Sequence, residues 1–191
     1  MNTVNIMIVG VGGQGSLLAS KLLGRLLLDR GYDVRVSEVH GMSQRGGSVV
    51  TYVRFGDRVF SPVICEGEAD YIVSFERLEA ARYAPYLRRG GRIVTSTQEI
   101  DPMPVIVGNA VYPEDIIGKL REKGISVDET DALGLAVRAG SPKAANIVLM
   151  GHLARRFPQI PAEAWKEAIE KTVAPRFVEL NLRAFDLGYN A

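Results

Sequence analysis

Residues 4–9, Val-Asn-Ile-Met-Ile-Val, form an almost unbroken apolar run. That pattern predicts a strand buried on both faces, as in a parallel sheet. In residues 15–30, Leu18, Leu22 and Leu26 recur at spacing four with Leu23 and Leu27 beside them, which predicts a helix closed by Gly31. Val34 and Val36 mark a second strand over 33–37, so the chain opens as βαβ. Residues 38–47 have no period. Residues 48–55 read as a strand, Gly56-Asp57 as a turn and 59–64 as the returning strand, so the sheet should be mixed.

The remaining pattern predicts a buried strand over 69–75 and a helix over 76–88, with Pro85 kinking it or marking its last turn. Gly90-Gly91 would close that helix before strands at 92–95 and 105–107. Tyr112-Pro113-Glu114-Asp115 should open a helix ending near Gly124, followed by a strand over 125–127. Beyond Asp131 the pattern is helical. One helix should start at Ser141-Pro142 and run to about Arg156. A second starts at Pro161 with Trp165 and Ile169 on one face, and a third at Pro175 with Val178, Leu182 and Phe185 on one face. The expected fold is a single α/β domain over residues 1–191, Rossmann-like and three-layered, with a mixed sheet and a helical C-terminal part.

Composition narrows the function. Of the 191 residues, 47% are hydrophobic, enough for a real core. A net charge of +1 gives no case for nucleic acid, and no stretch approaches the ~20 apolar residues of a membrane helix. The N-terminus lacks the basic region of a signal peptide, and a single cysteine, Cys65, fits the cytoplasm. One cysteine and two histidines, His40 and His152, cannot build an iron–sulfur or zinc site alone.

The candidate chemistry begins at Gly10-Val-Gly12-Gly13-Gln14-Gly15, directly after the first strand. Gly10-x-Gly12-x-x-Gly15 matches the dinucleotide fingerprint in the right context. Free N–H groups at the following helix start favour an anion, and the alternative is a tight turn with no ligand. Glu38, 23 residues after Gly15, stands near the place of a ribose-binding acid. Gln14 puts a large polar side chain beside the phosphate position, which argues against a simple NAD site. A stand-alone NAD(P)- or flavin-binding oxidoreductase is nevertheless the alternative this loop leaves open.

A second loop, Ser43-Gln44-Arg45-Gly46-Gly47, is dense in donors. Arg45 can grip phosphate or carboxylate in a bidentate way, and the glycines allow an anion nest. The alternative is a flexible surface loop. Two such loops at the carboxyl ends of adjacent strands would face one crevice.

GVGGQG followed by SEVHGMSQRGGSV, with the later SPKAANIVLMG, resembles the gamma-type domain of the 2-oxoacid:ferredoxin oxidoreductases over roughly residues 4–185. A free-standing chain of this length is most similar to the beta subunits of the indolepyruvate branch. The resemblance implies oxidative decarboxylation of a 2-oxoacid, with arylpyruvates the expected substrates, to an acyl-CoA with reduction of ferredoxin. It implies that thiamine diphosphate, Mg2+ and iron–sulfur clusters sit on a larger alpha subunit that also meets ferredoxin, and that this chain is inactive alone. For this chain the resemblance implies either coenzyme A binding or a part in building the substrate cavity, with coenzyme A the expected ligand. Its pyrophosphate would lie on the backbone N–H groups of Gly12, Gly13, Gln14 and Gly15, with Ser43, Gln44 and Arg45 lining the same crevice or facing the thiamine site. A homodimer of the isolated chain stays open.

Lys143 falls in the first turn of a helix, where a cation opposes the dipole; it either marks a nearby anion or is simply solvated. Asn146, one turn on, either binds a ligand or caps a neighbouring loop. His40 suggests positioning, while His152 and Cys65 read as structural. Glu76, Glu79 and Arg82 read as a dipole-matched helix start with an i,i+3 pair. Trp165, Phe177 and Tyr189 could pack internally or join a subunit interface.

Overall fold

The computed structural model describes residues 3–38 and 47–191. Among them, six strands form one mixed sheet in the order β2-β3-β1-β4-β5-β6. The strands are β1 (Val4–Val11), β2 (Asp33–Glu38), β3 (Ser48–Gly56), β4 (Ala69–Ser74), β5 (Leu87–Ser96) and β6 (Ser126–Thr130). β1, β4, β5 and β6 are mutually parallel, and β3 lies antiparallel between β1 and β2.

β1 explains the three layers. Successive side chains leave opposite faces of a strand. Ile6 and Ile8 enter one core with α1 (Ser16–Asp29), α5 (Ala132–Ala139), α6 (Ala145–Ala154), α7 (Ala162–Thr172) and α8 (Val178–Tyr189). Met7 and Val9 enter a second core with α2 (Arg77–Tyr83) and α4 (Ile116–Glu122). All four side chains are fully buried, as a strand covered on both faces requires. The remaining helix, α3 (Met103–Ile106), is one turn long.

Several expectations change. Residues 59–64 do not return as a strand. Their backbone groups are satisfied by side chains instead: Arg54 donates to Ser61 O at 3.1 Å and Val63 O at 2.6 Å, and Asp33 accepts from Val59 N–H at 2.8 Å. The antiparallel partner of β3 is β2, so the sheet is mixed, but by a different hairpin. The opening β1–α1–β2 unit therefore crosses over β3, and the first two strands are not neighbours. Residues 105–107 belong to α3 and the turn after it, not to a strand, because Pro102 and Pro104 set up a helical turn. Gly90-Gly91 lie inside β5, which starts at Leu87. α4 starts only at Ile116, capped by Asp115, whose carboxylate accepts from Gly118 N–H at 3.2 Å.

Candidate functional site

The glycine loop is built by its own side chain. Gln14 Oε1 accepts the Val11 N–H at 2.7 Å, and its Nε2 donates to Phe75 O at 3.1 Å and Gln98 Oε1 at 2.9 Å. Gln14 thus ties the ends of β1, β4 and β5 together and spends its amide on the protein. A Cβ at Gly10 would lie 2.8 Å from Gln14 Oε1, so that tie needs a glycine there. Gly12 N–H donates to Gly47 O at 2.9 Å, joining the first loop to the return end of the second.

Gly13 and Gly15 carry the special backbone. Gly13 has φ +99° and nothing within 4 Å of where a Cβ would stand, so a ligand can approach its main chain. Gly15 has φ +89°, caps α1, and packs so closely on Asn146 that a Cβ would lie 2.4 Å from Asn146 Nδ2. Asn146, buried, donates to Gly15 O at 3.1 Å. Of its two readings, capping a neighbouring loop is the one its contacts support. Among the described residues no acceptor meets the N–H groups of Gly13, Gly15, Ser16 and Leu17, the orphan donors of a helix start.

Of these residues, Gly13 and Gly15 border a cleft of about 500 Å³. Gly13, Gln14 and Gly15 form one wall, Phe75, Ser96 and Gln98 another, and Lys143, Asn146 and Leu149 a third. Its position follows from topology. The helix after β1 packs on one face of the sheet and the helix after β4 on the other. β1 and β4 are neighbours, so the chain reverses its winding between them, and ligands of open α/β sheets bind at that reversal. Lys143 lines the same cleft from the 3-10 turn Pro142–Ala144 that leads into α6, its side chain exposed.

Glu38 is elsewhere. It accepts the Ser20 hydroxyl and borders a groove with Lys21, Gly24, Arg25 and Val36. With β3 between, β2 is two strand spacings from β1, about 10 Å, so Glu38 is not placed as a ribose acid beside the glycine loop. Ser43, Gln44, Arg45 and His40 lie outside the described residues. Cys65 is exposed, contrary to a structural reading. Trp165 is 1% exposed and belongs to the core, so it lines no interface, while Phe177 and Tyr189 are 45% and 36% exposed.

Sequence spacing missed a buried carboxylate pair beside the cleft. Glu76 and Glu79 are 1% and 3% exposed. Glu76 caps α2 by accepting from Glu79 N–H at 2.8 Å, also accepts from Ile100 N–H at 3.3 Å, and takes the Tyr112 hydroxyl. Glu79 accepts the Ser48 hydroxyl and pairs with Arg82 at 3.2 Å. The i,i+3 pair is present as expected, but its carboxylate is inside the protein. Burial pushes the Glu79 carboxyl above its ordinary value, with Ser48 and Arg82 pulling the other way. Burial and the neighbouring Glu76 carboxylate push the Tyr112 phenol upward, so it stays a donor. His152 is held below its ordinary value by burial and the nearby Arg155.

Comparison with known proteins decides the family. The family of pyruvate ferredoxin/flavodoxin oxidoreductases matches residues 5–191. The chain belongs to it. Indolepyruvate oxidoreductase subunit IorB of Pyrococcus horikoshii is 47% identical over 100% of this chain and 96% of its own. The IorB subunit of Archaeoglobus fulgidus is 42% identical over 98% and 94%. The fold is that of the keto/oxoacid ferredoxin oxidoreductase gamma subunit from Geobacter sulfurreducens, with a TM-score of 0.72, 23% identity, and 98% and 96% of the two chains covered. It also matches 31% of the larger 2-oxoglutarate:ferredoxin oxidoreductase chain from Magnetococcus marinus, solved with 2-oxoglutarate, coenzyme A and succinyl-CoA, covering 100% of this chain with a TM-score of 0.74 and 19% identity. The protein is thus a small oxidoreductase subunit of the 2-oxoacid:ferredoxin class, with a Rossmann-like fold.

Proposed function

We propose that this chain is the beta, gamma-type subunit of a cytoplasmic indolepyruvate:ferredoxin oxidoreductase, and that its glycine-loop cleft receives the anionic part of coenzyme A. The substrate assignment is supported by full-length identity of 47% to an indolepyruvate oxidoreductase subunit. Thiamine diphosphate, Mg2+ and the iron–sulfur clusters belong on a larger partner chain. Among the described residues no group of three His, Cys, Asp or Glu is placed to hold a metal, and no helix is long and apolar enough to cross a membrane.

The observation that carries the ligand assignment is the cleft at the winding reversal, lined by Lys143 and by the Gly13 and Gly15 N–H groups, which meet no acceptor among the described residues. A pyrophosphate fits this donor set. The backbone N–H groups of Gly13 and Gly15 can reach oxygens without a Cβ in the way, the α1 dipole favours negative charge, and a lysine adds a point charge. Of the four backbone N–H groups expected to meet the pyrophosphate, those of Gly12 and Gln14 donate to Gly47 O and Val11 O, so Gly13 and Gly15 carry that contact, while the Gln14 and Asn146 side chains hold the loop in shape and line the cleft. Phe75, Leu133 and Leu149 give the cleft an apolar part against which an adenine or pantetheine portion can pack. Coenzyme A, when bound, supplies the thiol that accepts the acyl group.

Native purification followed by antibody to this chain tests the reading. Each fraction is assayed for coenzyme A- and indolepyruvate-dependent reduction of a viologen dye, and the complex is titrated with coenzyme A by calorimetry. Co-elution with a larger thiamine-containing chain and that activity is the expected result. A small colourless species without the activity overturns the subunit reading, whereas an active complex with 2-oxoglutarate or pyruvate in place of indolepyruvate overturns only the substrate.

A further inference from the structure

Residues 100–112 leave the cleft side of β5 and return before α4. Both ends of this loop are fastened to one carboxylate. Glu76, almost fully buried, accepts the Ile100 N–H at one end and the Tyr112 hydroxyl at the other. Between these points the loop hydrogen-bonds to itself. Val107 N–H donates to Met103 O at 3.0 Å, and the Asn109 and Ala110 N–H groups donate to Pro104 O at 2.8 and 3.0 Å.

A loop fixed at its neck and bonded internally would ordinarily turn its apolar side chains inward. This one turns them out: Met103, Ile106, Val107 and Val111 are 65%, 64%, 57% and 85% exposed. Contiguous apolar exposure of this kind marks a contact surface. The flanks of the loop are acidic, with Glu99 paired to Arg77 and the Lys119 ammonium donating to Glu114 O at 2.8 Å, which leaves Asp101 and the Glu114 carboxylate as the outward charges. Residues 99–115 include Glu99, Asp101, Glu114 and Asp115 and contain no lysine or arginine. Asp101 and Glu114 are exposed. The loop also starts immediately after Ser96 and Gln98, which line the cleft.

We propose that the 100–112 loop is the element that docks this chain on its larger subunit, inserting Met103, Ile106, Val107 and Val111 into an apolar depression rimmed by lysine or arginine. The proposal rests on the subunit reading above. The acidic flanks decide the occupant. In a twofold contact between two copies of this loop, Asp101 and Glu114 would meet like charges, which disfavours self-association through it. A basic-rimmed partner is complementary. The Glu76 clamp fixes the loop before binding, so little ordering cost is left for association. Docking here brings the partner to the mouth of the cleft.

The test uses the two subunits co-expressed, with the tag on the larger one, and titration of the separated chains. Ile106→Glu with Val111→Glu should leave the small chain's circular dichroism and thermal midpoint unchanged, because both side chains are in water. It should raise the dissociation constant for the larger subunit at least about tenfold. Asp101→Lys with Glu114→Lys should weaken binding several-fold at low salt and flatten its salt dependence. Phe60→Glu, in the segment after β3 at the N-terminal end of the parallel strands and 83% exposed, should change nothing. Wild-type affinity in both loop variants overturns the proposal, as does a loss of binding in Phe60→Glu alone or an effect of the loop variants only on self-association. Failure of the wild-type chain to bind the larger subunit at all is a different result, and it overturns the subunit reading together with the loop.

Discussion

Asn146 and Gly15, separated by 131 positions in the chain, hold each other's place: the Asn146 amide donates to the Gly15 carbonyl at 3.1 Å, and no Cβ fits between them. Gly15→Ala should therefore be destabilising twice over, through left-handed strain and through displacement of Asn146. Together these amount to about 2 kcal/mol. Asn146→Ala alone should cost less, and in the double variant the two costs should be less than additive, because removing the amide removes the clash. Urea midpoints of the four proteins measure this. Strict additivity would mean that the pair does not communicate.

A second close approach fixes the C-terminal layer. A Cβ at Gly188 would lie 1.9 Å from the Val148 carbonyl oxygen, a backbone atom that cannot step aside. α6 and α8 cross there, with Gly151 facing Phe185 O in the same way. Gly188→Ala should cost about 3 kcal/mol or more, at the upper end of overpacking, unlike a glycine-to-alanine change at an exposed helix position, which stabilises. Thermal unfolding of the isolated chain reads the difference.

Much of this was legible in the sequence where a pattern has one physical meaning. The β1 run, the leucine face of α1 and the glycine loop between them are in place as expected, because burial on both faces and a tight turn leave few alternatives. Short apolar triplets are ambiguous, and residues 105–107 became the end of a helical turn and the turn after it because prolines at 102 and 104 outweighed β-branching. The insertion of β3 beside β1 depends on which strand partners are free, which no local pattern encodes. Gln14 lines the cleft as read, but no local pattern shows that its amide also closes the loop on Val11, Phe75 and Gln98. Glu76 and Glu79 have the spacing of a surface pair, and only the arrival of Ser48, Ile100 and Tyr112 from distant segments buries them.

The buried Glu79 predicts a pH dependence with a definite sign. Burial holds its folded carboxyl above the ordinary value of 4.5. The folded state therefore binds the proton more tightly than the unfolded chain. Its contribution is fully present below pH 4.5 and is lost as pH rises through the raised value. Glu79→Gln removes the titration while keeping an acceptor for Ser48. The stability of the natural protein relative to this variant should fall between pH 4.5 and neutrality, in paired urea titrations. A relative gain over that range would mean that Arg82 and Ser48 outweigh burial. His152 has the opposite sign: its value lies below the ordinary 6.5, so its contribution is present above that pH and is lost as pH falls.

Lys143 lines the cleft together with the Gly13 and Gly15 backbone, and it is exposed, so its role should be charge and not packing. Lys143→Gln keeps the length of the side chain and removes the charge. In the assembled enzyme this should raise the KM for coenzyme A about three- to tenfold, since an exposed contact is worth about 1 kcal/mol. The turnover at saturating coenzyme A should stay unchanged, because uniform binding energy does not enter kcat. The KM of the unaltered enzyme should also climb with ionic strength, and that of the variant should climb less, as screening has one fewer cation to act on. Steady-state rates at two salt concentrations separate the outcomes. An unchanged KM at both would remove Lys143 from the ligand site and leave the backbone donors of Gly13 and Gly15 as its anion contacts. A fall in kcat at saturation would instead place the lysine near the reacting groups.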